Sequence, residues 1–175
     1  MSQKHDFITE LKMETASTRK ILERVPVEKN DWKPHEKSMK LGNLAAHVAE
    51  LPGWIAMTMV TDEFDVSTMN YKPNISQSTK ELLAVLDENV NKALSALENS
   101  TDEDLEKMWT LRNGEHIIFA MPRKAVLRSS SLSHQYHHRA QLGVYLRLLD
   151  IPVPGIYGPS YDDMNAPVTA EALAN

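Results

Sequence analysis

The sequence predicts an all-α protein, a four-helix bundle with a small β-hairpin inserted before the last long helix. Three observations point there. Four stretches place apolar residues at the i, i+3/i+4 spacing of an amphipathic helix. Proline and turn-forming residues separate the stretches. A single Asn-Gly step between β-formers marks one hairpin. At 175 residues the chain suffices for one domain with a sizeable core. Residues 1–175 are therefore expected to form a single domain, with 155–175 mostly loop.

The first helix is expected over residues 5–24, where Phe7, Ile8, Leu11, Leu22 and Val25 fall near one face before Pro26 ends it. Residues 27–40 hold Pro34 and many charges and read as a connector. A second helix begins near Lys40, with Leu41, Leu44, Ala45, Val48 and Leu51 inward. Pro52-Gly53 inside that pattern predicts a kink, with the helix running on to about Val60. Residues 62–75 read as a loop. Ser78 followed by Glu81 is a capping-box signature, and the stripe Leu82, Leu83, Leu86, Val90, Ala93, Leu94, Leu97 makes the third helix. Ser100–Asp104 reads as the cap of one more short turn. Trp109-Thr110-Leu111 and His116-Ile117-Ile118-Phe119 flank Arg112-Asn113-Gly114-Glu115, the hairpin. Pro122 suits the first turn of a final helix that runs to about Asp150, where Pro152 and Pro154 stop it. A turn is expected near Thr169–Ala174.

Composition narrows the function. The chain has no cysteine, which removes disulfides, thiolate metal sites and cysteine nucleophiles together. A soft transition metal would have to be held by histidine, with carboxylate or water completing the shell. The net charge of −5 and the short basic stretch Arg123, Lys124, Arg128 offer no face for a phosphate backbone, so no nucleic-acid partner is expected. Apolar runs such as Gly53–Val60 are too short to cross a bilayer. The N-terminus MSQKHDFITE lacks the basic start and apolar centre of a secretory signal, so a cytoplasmic location is expected.

The histidines carry the chemistry. His134 and His138 are four apart on the final helix, so their imidazoles project from one face, one turn apart. That is the spacing by which two helical histidines grip one ion. The residues between them, Gln135, Tyr136 and His137, supply no protease-type general base. One more ligand must come from another helix, and His47 is the only histidine of the second, on its apolar face between Leu44 and Leu51. Three neutral imidazoles leave positions open for water or substrate, which suits Zn²⁺ or another divalent transition ion and favours catalysis over a structural role. A lone histidine on an apolar face is more often a hydrogen-bonded core residue, and His137 competes as the second member of the pair. His5, His35 and His116 read as surface residues.

Around the triad, Gln141, Tyr145 and Tyr136 are candidates to fix imidazole tautomers. Glu50, one turn after His47, can orient a ligand or act as a base, or be a solvated carboxylate. Arg139 can bind an anionic substrate or form an ion pair within the protein or with a partner chain. The loop Ile151–Ser160 can cap the site or pack on a partner.

Longer motifs add a family resemblance. Trp32-Lys33-Pro34, Lys37-Ser38 and Leu41-Gly42-Asn43-Leu44-Ala45-Ala46-His47-Val48 resemble the start of the second helix in the DinB superfamily. Ser133-His134-Gln135-Tyr136-His137-His138-Arg139-Ala140-Gln141-Leu142 is similar to its fourth-helix signature. Val144–Leu149 and Ile151–Ser160 continue the pattern, so the resemblance spans roughly residues 5–163. The fourth-helix motif is fairly specific and the helix-2 motif is weak by itself. The resemblance implies a four-helix bundle with one divalent ion, nickel or zinc foremost and manganese or iron as further candidates, held by His47, His134 and His138. It also implies a homodimer. Some relatives transfer low-molecular-weight thiols such as bacillithiol or mycothiol onto electrophiles, and others resemble metal-dependent hydrolases. The expectation is a metal-dependent thiol S-transferase or hydrolase acting on a small molecule. The alternative is a non-catalytic metal-binding stress-response or interaction protein.

Overall fold

Capping side chains and one proline decide where the helices of this protein start and stop. The structure, a computed structural model, describes residues 2–165. The turn expected near Thr169–Ala174 lies outside the described residues. Helix α1 spans Gln3–Leu22. Its exposed N–H groups are met from far along the chain. The carboxylate of Asp102 accepts from the backbone of Gln3 and Lys4 and from the Ser2 hydroxyl, placing negative charge at the positive end of the helix.

The expected kink in the second helix is a full break, giving α2, Leu41–Glu50, and α3, Gly53–Val60. Pro52 has no N–H, so the Val48 carbonyl loses its intrahelical donor. The buried Gln135 side chain replaces it, donating from Nε2 to the Val48 carbonyl at 3.0 Å. Ser131 Oγ donates to the Leu51 carbonyl at 3.2 Å. Two side chains of the final helical segment thus satisfy the broken end.

Helix α4, Thr79–Glu98, starts as the capping signature predicts. Ser78 Oγ accepts from the Glu81 backbone at 3.2 Å, and the Glu81 carboxylate reaches back to the Gln77 N–H, one residue before the usual position. The short α5, Asp102–Glu106, carries a reciprocal Thr101–Asp104 capping box.

Three strands form one small sheet in the order β1-β2-β3. They are β1, Glu63–Asp65, β2, Met108–Asn113, and β3, His116–Pro122. β2 and β3 are the expected hairpin. Asn113 pairs with His116, so the two-residue loop is Gly114-Glu115, one position later than an Asn-Gly turn. Gly114 lies at φ 59 and Glu115 is not left-handed. A type I′ turn needs both residues left-handed, so the loop fits type II′, which wants glycine first. β1 falls within the stretch expected to be loop, and it pairs in parallel with β2. The run Glu63-Phe64-Asp65 has no strand pattern of its own length and is ordered by the free edge of β2.

The last helical stretch is continuous but not uniform. It consists of α6, Arg123–Val126, a widened π-helical segment over Leu127–Ser133, and α7, His134–Leu148. Pro122 lies just outside it, at the end of β3 opposite Met108. At the far end the Ile151 N–H bonds to the Leu146 carbonyl at 3.0 Å and the Asp150 N–H to the Arg147 carbonyl at 3.1 Å. This is a Schellman stop, with Asp150 at φ 58 where glycine is usual. Asp150→Gly removes the left-handed strain at the cost of a freer unfolded chain, and is expected to stabilise by about 0.5 kcal/mol. A lower melting temperature would contradict this. A final turn, α8, covers Tyr161–Met164.

Helices α1, α2, α3, α4 and α7 pack on one another around two apolar clusters. One joins Ile21, Leu22, Leu44, Val48, Leu86 and Leu142, among others. The second joins Phe7, Leu11, Ile55, Leu97, Leu127 and Leu132. Buried Thr18, Ser131, Gln135 and Arg139 lie in the segments that link the two clusters. Among the described residues no helix is long and apolar enough to cross a membrane.

Candidate metal centre

Helices α2 and α7 pack against each other, and this contact brings His47 to His134 and His138, which lie 87 and more residues further along the chain. His134 Nε2 lies 3.3 Å from His47 Nε2 and 2.8 Å from His138 Nε2. The ligand atoms of all three fall within 4.8 Å of one another, a group that could hold a metal ion. Two nitrogens each about 2.05 Å from one ion are separated by roughly 3.3 Å at a tetrahedral angle and roughly 2.9 Å at a right angle. The observed spacings match those values.

The outer ring nitrogens of His134 and His138 both meet oxygen atoms. His138 Nδ1 lies 2.7 Å from Gln141 Oε1, and His134 Nδ1 lies 3.4 Å from the Ser130 carbonyl. Both oxygens are acceptors, which suits the tautomer of each ring that carries the proton on Nδ1 and presents the Nε2 lone pair inward. Two lone pairs at 2.8 Å repel unless a cation lies between them, so the donor set fits a divalent transition ion. Nitrogen donors without sulfur suit zinc, nickel and their neighbours. Burial also favours neutral imidazoles. It pushes His47 down to about 4, with the nearby His138 and His134 adding to the effect. His134 is lowered chiefly by burial, with the Ser130 bond opposing. His138 is lowered in the same way, with Gln141 opposing.

Gln141 is the outer partner that a substitution can test. Gln141→Leu leaves the three ligands in place but frees the His138 ring and its tautomer. Metal affinity is expected to fall by about tenfold or more, measured by competition with a chelating dye. Unchanged affinity would show that Gln141 holds nothing of consequence.

The other candidates sit elsewhere. Glu50 accepts a hydrogen bond from the Tyr71 hydroxyl at 2.6 Å. Burial first, and then this carboxylate, push the Tyr71 phenol well above its ordinary range. Tyr145 donates to the Met39 carbonyl and meets Trp32 edge-on. Tyr136 turns toward α1 and donates to Glu10. Arg139 is buried and also faces α1, paired with Glu14 at 2.6 Å and flanked by the rings of Tyr136 and Tyr157. Of the five candidates around the triad, the structure therefore brings Gln141 alone into hydrogen-bond contact with a triad histidine. His137 is exposed, its ring edge-on to His138 at 4.8 Å between centroids.

Sequence reasoning missed the supports of the triad. The Ser130 carbonyl, in the widened helical segment, holds His134, and Gln135 ties α7 to α2. The second had a signal, because a buried amide beside a mid-helix proline can replace the missing N–H. The first had none.

The loop Ile151–Ser160 packs away from the triad. Tyr157 contacts Arg139 and Glu14, and with Gly143, Val144 and Ile156 it lines a cavity of about 360 Å³. On a helix Arg139 and Gly143 lie on the side of α7 opposite His134, His138 and Gln141, with Val144 on its flank. The loop is anchored by carboxylates. Asp162 accepts from the Val153 N–H, and Asp163 from those of Gly155 and Ser160. Arg147 first, and then Val153, hold Asp162 below its ordinary value of 3.8, while the Ser160 and Gly155 amides do the same for Asp163. Groups lowered on folding stabilise above their ordinary value and lose that contribution as pH falls through the folded one. The Val153, Gly155 and Ser160 amide resonances are expected to titrate with midpoints below 3.8. Midpoints at or above that value would show that the anchors do not form.

A mainly helical fold with a converging three-histidine group on two packed helices defines a class, that of helical proteins able to hold one metal ion. The particular member follows from comparison with known proteins. The DinB family model matches residues 1–172, and the chain belongs to the DinB family. Two solved structures are similar. One is a DinB-like protein from Bacillus cereus ATCC 10987, 26% identical, with TM-score 0.66 over 86% of this chain and 95% of that one. The other is the DinB-like protein YjoA from Bacillus subtilis, 18% identical, with TM-score 0.65 over 84% and 96%. No curated protein matches the chain.

Proposed function

We propose that His47, His134 and His138 hold one divalent transition ion through Nε2, nickel or zinc foremost and manganese or iron next. The protein would then act as a metal-dependent thiol S-transferase or hydrolase on a small molecule. The observation that carries this reading is the pair of lone-pair nitrogens 2.8 Å apart, each fixed from behind by an oxygen acceptor. An ion held by three neutral imidazoles keeps positions free and lowers the pKa of a water or thiol that takes one of them. The protein's own part is to hold the His134 and His138 rings from behind through Ser130 and Gln141 and, by burial, to keep all three rings neutral at pH 7.

The segments α1, α2 with α3, α4, and α6 with α7 are read as the four helices of a DinB-type bundle in a single domain. We further propose a cytoplasmic homodimer. Sedimentation at micromolar concentration showing only a 19.8 kDa species would refute the dimer.

Elemental analysis after exposure to nickel and zinc is expected to find one equivalent per chain, lost in His138→Ala. Conjugation of a low-molecular-weight thiol to an electrophile, or ester or amide hydrolysis, is expected to stop on chelation and return on adding the ion. Sub-stoichiometric metal unchanged by His138→Ala would overturn the metal reading. Full metal without either activity would favour the second reading, a non-catalytic metal-binding protein. One observation supports that reading: Glu50, the carboxylate one turn from His47, is engaged by Tyr71.

A further inference from the structure

We propose that the groove between α3, α4 and the start of α6 binds a small amphipathic molecule with an oxyanion head, a carboxylate or a phosphate. The groove has a volume of about 840 Å³, and its lining residues come from neither α2 nor α7. The site is thus separate from the histidines and independent of the metal reading.

Its defining group is Arg123. The residue is 6% exposed, and its donors are only partly met within the protein. Nη2 donates to the Thr61 carbonyl at 2.8 Å and to Asp62 at 3.0 Å. Nε is buried without an acceptor, and among the described residues Nη1 has no acceptor either. A guanidinium carries five N–H donors, and leaving the buried Nε–H unmet beside a cavity is costly unless something else accepts. The one carboxylate on it, Asp62, has a side chain 91% exposed, so water screens the counter-charge. The Arg123 N–H bonds to the Lys107 carbonyl at 2.8 Å, so the two residues are backbone neighbours, and both line the groove. The Lys107 side chain is 60% exposed and meets Asp104, which also lines the groove, and Lys92 on the groove's α4 wall meets Glu88. Surface pairs of this kind are weak, so both ammonium groups can turn to an incoming anion.

The α3 side of the groove is apolar, formed by Ala56, Met59 and Val60 and continued by Ala96, while Asn91, Ser95, Asn99, Ser100 and Asp104 make the remaining lining polar. Val60 is 72% exposed. A head placed between Arg123 and Lys107 would lay a short hydrocarbon body along Val60 and Ala96. Convergent donors beside an apolar wall are the usual make-up of a small-molecule site, and charge-assisted bonds to arginine give it preference for an oxyanion.

The probes are hexanoate, hexyl phosphate, hexanol, acetate and hexylammonium, titrated into the full-length protein and followed by NMR. Saturable movement of the Arg123 Nε–H and Val60 methyl signals is expected with hexanoate, hexyl phosphate or both. The tighter of the two identifies the head group. Lys107→Gln, a change at an exposed side chain, is expected to weaken binding about tenfold. Any of four results overturns the proposal: no saturable response, hexanol or hexylammonium binding as tightly, acetate matching hexanoate, or Lys107→Gln binding like the parent.

Discussion

Replacing His134 with alanine is expected to lower metal affinity roughly a hundredfold or more while leaving the metal-free fold intact. Of the three rings, His134 is the one whose Nε2 meets both others, at 3.3 Å and 2.8 Å. Zinc sites with four ligands gain about 10–16 kcal/mol, so one ligand is worth about 3 kcal/mol, or roughly two decades in affinity. In the metal-free protein the same substitution removes a lone-pair repulsion and a half-buried ring. Its stability is expected to stay within about 0.5 kcal/mol of the parent. Competition titration reads the first quantity and chemical denaturation the second. Strong metal binding in His134→Ala would mean that the triad is not the ligand set. Unfolding of the metal-free variant would mean that the rings are core packing instead.

Arg139→Ala is expected to have the largest effect on stability, about 3–5 kcal/mol. The Arg139 and Glu14 side chains are 3% and 12% exposed and 2.6 Å apart. Removing the guanidinium leaves a nearly buried carboxylate without its cation, the Tyr157 hydroxyl still donating to it, and also removes the bonds to the Glu14 carbonyl and the Thr18 hydroxyl. For a chain of this size the melting temperature should drop by roughly 6–20 °C. The double substitution Arg139→Met with Glu14→Leu is expected to recover much of the loss, because it removes both charges and keeps the volume. A single variant as stable as the parent would show that the pair adds nothing to the fold. Metal affinity is the internal control, since Arg139 faces α1 and touches none of the three histidines.

The helices and their apolar faces were legible in the sequence because their signals are local. The stripe from Leu82 to Leu97, the Ser78 cap and the Gly114 turn each act over a few residues. The break at Pro52 was legible as a kink, but its completeness depends on Gln135 and Ser131, which arrive from another helix. Strand β1 was not legible. Three residues with two carboxylates have no strand signal, and only the edge of β2 orders them. Glu50, Tyr136, Tyr145 and Arg139 were named by their position near the histidines. Helical rotation turns Tyr136 and Arg139 toward α1. Tyr145 shares the histidines' face but lies two turns past His138 against Met39 and Trp32, and Glu50 meets Tyr71.

The pairing of His134 with His138 needed only the 100° advance of a helix, so the sequence by itself determined it, along with the absence of thiolate ligands. That His47 completes the group was decided by α2 packing on α7. The tertiary structure also decided that Gln141 and the Ser130 carbonyl hold the rings. The physical reason is range. Periodicity, capping and turn chemistry are set by neighbours along the chain, whereas a ligand from another helix and the carbonyl of a widened turn depend on how whole segments pack.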